Sequence, residues 1–408
     1  MLLCIHLVLM ILSVLSSRTS SLLVPAFKGV KWYVFSSFTC CRSLSSQSKL
    51  PTSKLFASKR KHKEDNIKTS SKLDYQLPEG EVNHVGLVIE RRGDRLVVQQ
   101  LETTGLEPNQ APLASQTILA SDNSIFCVQR AHLSNVVIVP GDVVQYTLMS
   151  AQAAQGGEEG VVYHLLPRRN LLERPAASTG EVRKRSAFKA IGSNVDQIVI
   201  VLAAQPYVPL RTADRYLLVA HVANIPKVSI VINKEDLPET EAFIDLVREY
   251  FKGLKVSIIS ASSTTSTGLD QVLSLLQNQT SILVGQSGVG KSSLINAILP
   301  SVHIKVGALS NNQMYGLHTT SNAKLYHLPS GGRLIDSPGV REMAVWHFDF
   351  NEIEAGYEEI SVLAGHCRYG DCNHIDMSEE DCAVKRGVKE GRISEGRYAS
   401  FVDLVNRL

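Results

Sequence analysis

Gly285-Gln286-Ser287-Gly288-Val289-Gly290-Lys291-Ser292 is a complete G-x4-G-K-S loop. It follows the apolar run Ser281–Val284 and precedes a helical stretch, Ser292–Leu299, that Pro300 stops. Strand, glycine-rich turn and helix are the context in which this motif cradles phosphate. The glycines let backbone N–H groups curl around a β-phosphate, and the start of the helix adds a favourable dipole. Lys291 is placed to reach β- and γ-oxygens, and Ser292 to offer a hydroxyl to Mg²⁺. Ser293 and the whole run from Gly285 to Ser292 are therefore candidate nucleotide contacts.

Working outward, Asn233-Lys234-Glu235-Asp236 follows the apolar run Val228–Ile232. An Asn-Lys-x-Asp turn at a strand end reads guanine, because the Asp carboxylate accepts from the ring N1–H and the exocyclic amine, a donor pair that adenine lacks. Beside a phosphate loop it selects GTP over ATP. Ser260-Ala261, after a strand ending at Ile259, is expected to support the base. Asp336-Ser337-Pro338-Gly339 follows Leu334-Ile335; Asp336 is expected to hold Mg²⁺ through water and the Gly339 N–H to meet the γ-phosphate. His318-Thr319-Thr320 lies between these motifs, where the first switch belongs, and Thr320 is expected to complete the Mg²⁺ shell.

Their order is unusual. Asn233 precedes Gly285 by 285 − 233 = 52 residues, whereas most GTPases place the phosphate loop first. The α/β domain is therefore circularly permuted. Its second switch runs straight into the C-terminal segment, to which a rearrangement at the γ-phosphate can pass directly. Val340 stands where many GTPases carry a water-orienting Gln, and an aliphatic group cannot orient water. His318 is the catalytic candidate, with a packing or partner-contact role as the alternative reading.

Cys367-x4-Cys372-x-His374-x7-Cys382 sets four ligand types within 16 residues. Three thiolates and an imidazole suit one closed, structural Zn²⁺ site; a disulfide is the alternative. Cys127 stands apart and reads as a small buried hydrophobe.

The remaining chain divides by texture. Residues 1–63 contain ten Lys and Arg and no Asp or Glu, with abundant serine. That composition fits an organelle transit peptide, plastid (chloroplast) first and mitochondrial second, although the apolar start to Leu15 also resembles a secretory segment. Residues 64–80 read as a linker. Residues 81–166 carry short β-type runs: Val85–Ile89, Leu96–Val98, Ile125–Val128, Val136–Val139 and Val143–Leu148, with turns at Arg91–Asp94 and Pro140–Asp142. They suggest a small barrel of the oligonucleotide-binding (OB) type or a small sandwich. Residues 167–190 are a basic connector, either solvated or in contact with phosphates. Residues 191–345 alternate strands and helices, a doubly wound parallel sheet. Residues 346–408 read as helical around the Cys/His cluster.

Composition limits the alternatives. The 408 residues are 44% hydrophobic and 20% charged, with a formal charge of 42 − 39 = +3. Collagen, coiled coil and wholesale disorder are excluded, and no apolar run approaches the ~20 residues of a bilayer helix. Without residues 1–63 the balance is 32 basic against 39 acidic, a net −7. Nucleic-acid binding must then come from local patches such as Arg130, Arg168, Arg169, Arg183, Lys184 and Arg185.

Taken together these residues resemble the ribosome small-subunit-dependent GTPase A family, over roughly residues 82–408. Asn233–Asp236 ahead of Gly285–Ser293, then Gly316–Thr320, Asp336–Glu342 and the Cys/His cluster carry the resemblance, with Asn194–Gln197 and Asp214–Leu217 in support. It implies an N-terminal OB-type β-barrel that binds RNA, a circularly permuted α/β P-loop GTPase domain and a C-terminal helical zinc-binding domain. It also implies GTP/GDP, Mg²⁺ and one structural Zn²⁺ as cofactors. The expected activity is GTP hydrolysis in late maturation of the small ribosomal subunit, stimulated by that subunit and its rRNA and used for release, by a monomer with no membrane partner. The family's switch histidine carries over to His318. Two departures stand out: the seven-residue gap before Cys382 is long, and Arg130-Ala131 replaces an Arg-Gly. Competing readings are a GTP-locked RNA-binding scaffold with little turnover and a permuted GTPase of the large subunit.

Overall fold

A computed structural model describes residues 82–102, 119–149, 159–175, 188–300, 323–336 and 348–408. The first five strands close on themselves. β1 (His84–Arg92) pairs with β2 (Arg95–Leu101) and, along its other edge, with β4 (Val143–Leu148). β3 (Leu119–Gln129) and β5 (Glu159–Leu165) complete the ring in the order β1-β2-β3-β5-β4. Only the β3–β5 pair is parallel. This is an OB-type barrel, and closure removes the exposed edges a small sheet otherwise presents. Alternate residues fill it: Leu96 and Val98, Ile125 and Cys127, Val144 and Tyr146. The Gly93-Asp94 turn joins β1 to β2, with Gly93 at φ 65°.

The fifth strand is not the one the apolar pattern suggests. Val136–Val139 carries no ladder. Its backbone is satisfied locally: the Val136 N–H donates to Leu133 and the Val139 N–H to Asp142 Oδ2. Ile138 and Val139 still pack inward, so burial mimics a strand signal. β5 takes the ladder position instead.

The basic connector holds a hairpin, β6 (Leu171–Pro175) with β7 (Phe188–Ser193). Arg168 is committed to the fully buried Asp142: Nε donates to Oδ1 and Nη2 to Oδ2, each at 2.7 Å. Ser193 Oγ donates to the same carboxylate at 2.6 Å. Arg169 pairs with Asp196 at 2.6 Å. Arg168 therefore fastens the connector to the barrel turn, and Arg169 fastens it to the domain that follows.

That domain has the sheet order β10-β9-β8-β11-β13-β12. β8 (Gln197–Ala203), β9 (Lys227–Asn233), β10 (Ser257–Ser260), β11 (Thr280–Val284) and β13 (Arg333–Asp336) are parallel. β12 (Lys324–His327) is antiparallel at the edge and meets β1 at the pair Glu90↔Lys324. β8 is buried along its whole length, as a central parallel strand covered on both faces must be. The connecting helices are α1 (Arg211–Val222), α2 (Thr240–Tyr250), α3 (Leu269–Leu276) and α4 (Lys291–Ile298).

Four further helices end the chain: α5 (Phe350–Gly356), α6 (Glu358–Ala364), α7 (Ala383–Lys389) and α8 (Glu395–Val405). Asp349 starts α5 with a capping box closed by Glu352. α5 and α8 pack on α1. No helix among the described residues is long and apolar enough to cross a membrane.

Candidate functional site

Parallel strands with right-handed crossovers gather their carboxyl ends on one side, and ligands bind there. In this sheet those ends carry every described nucleotide motif. Asn233 ends β9 and is paired with Ala203 of β8; Ser260 ends β10, paired with Ile232; Asp336 ends β13. The phosphate loop leaves β11 at the centre of the row. Chain order is permuted, but the spatial order brings the motifs together.

The loop itself turns on glycine. Gly285, Gly288 and Gly290 have φ of 144°, 88° and 92°. Gly290 starts α4, and a Cβ there would collide with the Asn233 amide. Only glycine allows that approach. Val289 is buried and anchors the loop, whereas Gln286 and Ser287 face solvent. Lys291 Nζ donates to the Gly285 and Gln286 carbonyls at 2.7 and 2.8 Å. Its ammonium thus sits over the glycine-rich loop. Ser292 and Ser293 lie in the first turn of α4.

Asn233 joins the two halves of the site. Its Nδ2 donates to the Val289 carbonyl at 3.0 Å and to that of Gly290 at 3.4 Å, and its Oδ1 accepts from the Ser263 N–H at 3.3 Å. Lys234, at φ 65°, donates from Nζ to the Gln205 carbonyl at 2.8 Å. Asp236 Oδ1 accepts from Ser262 Oγ at 2.5 Å.

Ser260 and Ala261 sit against Glu235, and the two residues that follow them reach Asp236 and Asn233. Ser260 Oγ donates to Glu235 Oε1 at 2.8 Å. The Ala261 N–H is taken by the Ile232 carbonyl, and the Ala261 carbonyl accepts from Glu235. Ser262 and Ser263 make the contacts with Asp236 and Asn233 instead. Sequence reasoning missed them because Ser260-Ala261-Ser262-Ser263-Thr264-Thr265 is a run of small residues with two equivalent registers. His318, Thr319, Thr320 and Gly339 lie outside the described residues, as do Arg183, Lys184 and Arg185.

The Cys/His cluster is built among the C-terminal helices, between α6 and the start of α7. Cys367, Cys372 and Cys382 Sγ lie 3.5, 3.4 and 3.7 Å from His374 Nδ1, and all four ligand atoms fall within 4.8 Å of one another. A tetrahedral zinc with ~2.3 Å Zn–S and ~2.0 Å Zn–N bonds has edges of about 3.5–3.8 Å, so the donor set fits. Cys382 joins it despite the long gap, because Ser378–Cys382 folds into a turn: the Ser378 carbonyl accepts from both Asp381 and Cys382. With Nδ1 facing the sulfurs, His374 Nε2 carries the proton and donates to Glu354 Oε2 at 2.8 Å. Such an outer carboxylate fixes the tautomer and orients the ring. The Lys385 N–H reaches Cys382 Sγ at 3.5 Å, and Tyr398 donates to the His374 carbonyl at 2.6 Å.

Known proteins place this arrangement. A family model described as RsgA GTPase matches residues 165–346. A protein of Hahella chejuensis named small ribosomal subunit biogenesis GTPase RsgA is 37% identical over 366 residues, 88% of this chain and 94% of that one. Its namesake from Haemophilus influenzae (strain 86-028NP) is 40% identical over 284 residues, 69% of this chain and 78% of the relative. Among solved structures, YjeQ from Thermotoga maritima superposes with a TM-score of 0.61 at 27% identity, covering 80% of this chain and 99% of that one. YloQ, described as a circularly permuted GTPase, gives 0.56 at 25% identity, covering 81% and 97%.

Proposed function

The chain belongs to the small ribosomal subunit biogenesis GTPase RsgA family, and from that membership we propose that it hydrolyses GTP in late maturation of a small ribosomal subunit. It binds the subunit and its rRNA in the GTP state, the subunit stimulates hydrolysis, and the GDP form leaves. The observation that carries the proposal is the Asn233 bridge between guanine loop and phosphate loop, in a chain whose barrel and Cys/His cluster flank the permuted domain.

In this reading the backbone of Gly285–Gly290 and the Lys291 ammonium hold the β- and γ-phosphates. Asp236 accepts from the guanine ring. Ser292, Thr320 and Asp336 hold Mg²⁺, whose charge offsets that of the phosphates. His318 orients the attacking water, a task Val340 cannot perform. Cys367, Cys372, His374 and Cys382 hold one structural Zn²⁺; with every donor supplied by protein it has no open position for catalysis.

Residues 1–63 are proposed to direct the protein to plastids, with the mitochondrion as the alternative, so that its substrate is that organelle's small subunit. The acid-free, basic, serine-rich composition supports this. RNA contact is assigned to the barrel and to Arg130, Arg183, Lys184 and Arg185, acting in a monomer.

GTP turnover by the chain, with and without purified organellar small subunits, tests the activity; ATP and large subunits are controls. Stimulation by small subunits with GTP alone, lost in Lys291→Ala, is expected. Tight GTP-dependent binding without stimulated turnover overturns the hydrolytic cycle and leaves a scaffold. Residues 1–63 fused to a fluorescent protein test the destination.

A further inference from the structure

The attachment of the C-terminal helices to the GTPase domain centres on Asp214, in the first turn of α1. Its carboxylate is fully buried. Oδ1 accepts from Arg397 Nη1 and Oδ2 from the Tyr250 hydroxyl, both at 2.6 Å. Arg397, on α8, donates from Nε and Nη2 to the two carboxylate oxygens of Glu359 at 2.6 and 3.0 Å. Its guanidinium lies 4.4 Å from the centre of the Tyr357 ring. The pair is 183 residues apart in sequence. Burying two charges is a poor route to stability, because desolvation offsets their attraction. What such a network supplies is one defined geometry.

The geometry it defines ends at the nucleotide site. Residues 204–210 join the carboxyl end of β8 to α1, and this loop touches both nucleotide motifs. Lys234 Nζ donates to the Gln205 carbonyl at 2.8 Å. A Cβ built on Gly288 would lie 3.2 Å from Pro206 Cγ, so the Pro206 ring lies beside the phosphate loop and leaves no room for a side chain there. Gln205 Nε2 also donates to Glu239 Oε1 at 3.1 Å, just beyond the guanine motif. The far end of the loop is the turn that carries Asp214, where the Leu210 carbonyl accepts from Ala213 and Asp214.

We infer that Arg397 is a positioning residue for nucleotide binding. By holding Asp214 it fixes the first turn of α1, and through that turn the 204–210 loop against Gly288 and Lys234. The C-terminal domain is thus part of the support of the nucleotide site. The inference rests on reading the two loops as a GTP site, and its test separates the two ideas.

Arg397→Met alone strands a buried carboxylate and is expected to melt early. The informative variant of the full chain is Asp214→Asn with Arg397→Met, which removes the buried Asp214–Arg397 pair, keeps a partner for Tyr250 and leaves the partly exposed Glu359 to water. Two quantities are measured: the melting temperature, and the rate at which a fluorescent GDP analogue leaves. The double variant is expected to regain most of the lost melting temperature yet release GDP roughly tenfold faster than wild type. Arg397→Lys is expected to fall between. A double variant with restored melting temperature and wild-type release overturns the inference. So does one that melts as early as Arg397→Met, since the pair then serves folding alone. A wild-type chain that binds no GDP overturns the GTP-site reading itself.

Discussion

The Ser262 hydroxyl donates to Oδ1 of Asp236 at 2.5 Å while its oxygen accepts from the Thr264 and Thr265 N–H groups at 3.2 and 3.1 Å. Every bonding direction of that hydroxyl is used, and it holds the carboxylate by Oδ1.

Ser262→Ala is therefore expected to weaken GDP binding about tenfold, the ~1.5 kcal/mol typical of a hydrogen bond to a charged group. Ser260→Ala loses only a contact to Glu235 and is expected to stay within about twofold, well under 1 kcal/mol. Titration of a fluorescent GDP analogue into both variants decides the register. The opposite ranking returns the supporting role to Ser260-Ala261.

Asn233 bonds three backbone groups from two loops. Asn233→Ala leaves the buried Val289 carbonyl and the Ser263 N–H without it, at about 1–3 kcal/mol each. The expected loss of GDP affinity is about a hundredfold, larger than for Ser262→Ala, with a lower melting temperature as well. Affinity unchanged within twofold shows that the loops hold their positions without the bridge.

What the sequence revealed follows from where information is local. The G-x4-G-K-S loop and Asn-Lys-x-Asp turn are short and chemically specific, and β8, β9 and β11 read directly because a buried parallel strand is a continuous apolar run. The barrel was legible only as a class. Val136–Val139 has the apolar content of a strand, but its N–H groups close local bonds; β5 supplies the ladder. Arg168 and Arg169 read as solvated or phosphate-contacting charge because their partners, Asp142 and Asp196, lie 26 and 27 residues away. The pairing of Arg397 with Asp214 was not legible at all: a long-range ion pair leaves no local pattern.

Cys127 fills the barrel, and burial pushes its thiol up to about 12. At pH 8 it is expected to resist alkylation in the folded chain and to react only on unfolding, as read by mass spectrometry of each cysteine peptide. The sign for stability follows from linkage. The folded state holds this proton more tightly than the unfolded state, so the contribution is complete below the unfolded thiol's pKa of about 8.5 and is lost as pH rises toward 12. Replacement by Ala is expected to flatten that alkaline limb at the expense of a small cavity. Rapid native-state alkylation at pH 8 rejects the buried, protonated thiol.

Zinc binding divides between the residues that touch the ion and the one that aims His374. Purified protein is expected to carry one zinc per chain by elemental analysis, and Cys382→Ala to lose it, since three remaining donors leave an open position. Glu354→Gln keeps all four donors. Its expected effect is a 10–100-fold weaker affinity at unchanged stoichiometry, the usual consequence of removing a carboxylate behind a ligating imidazole. Competition with a chelator of known affinity measures this directly, without recourse to GTP turnover. Because Glu354 lies on α5, the element that follows Asp336 and residues 337–347, metal affinity also reports on the position of that helix. Equal affinity in Glu354→Gln and wild type shows that Phe350, Phe401 and the Tyr398 bond to the His374 carbonyl hold the imidazole without the carboxylate.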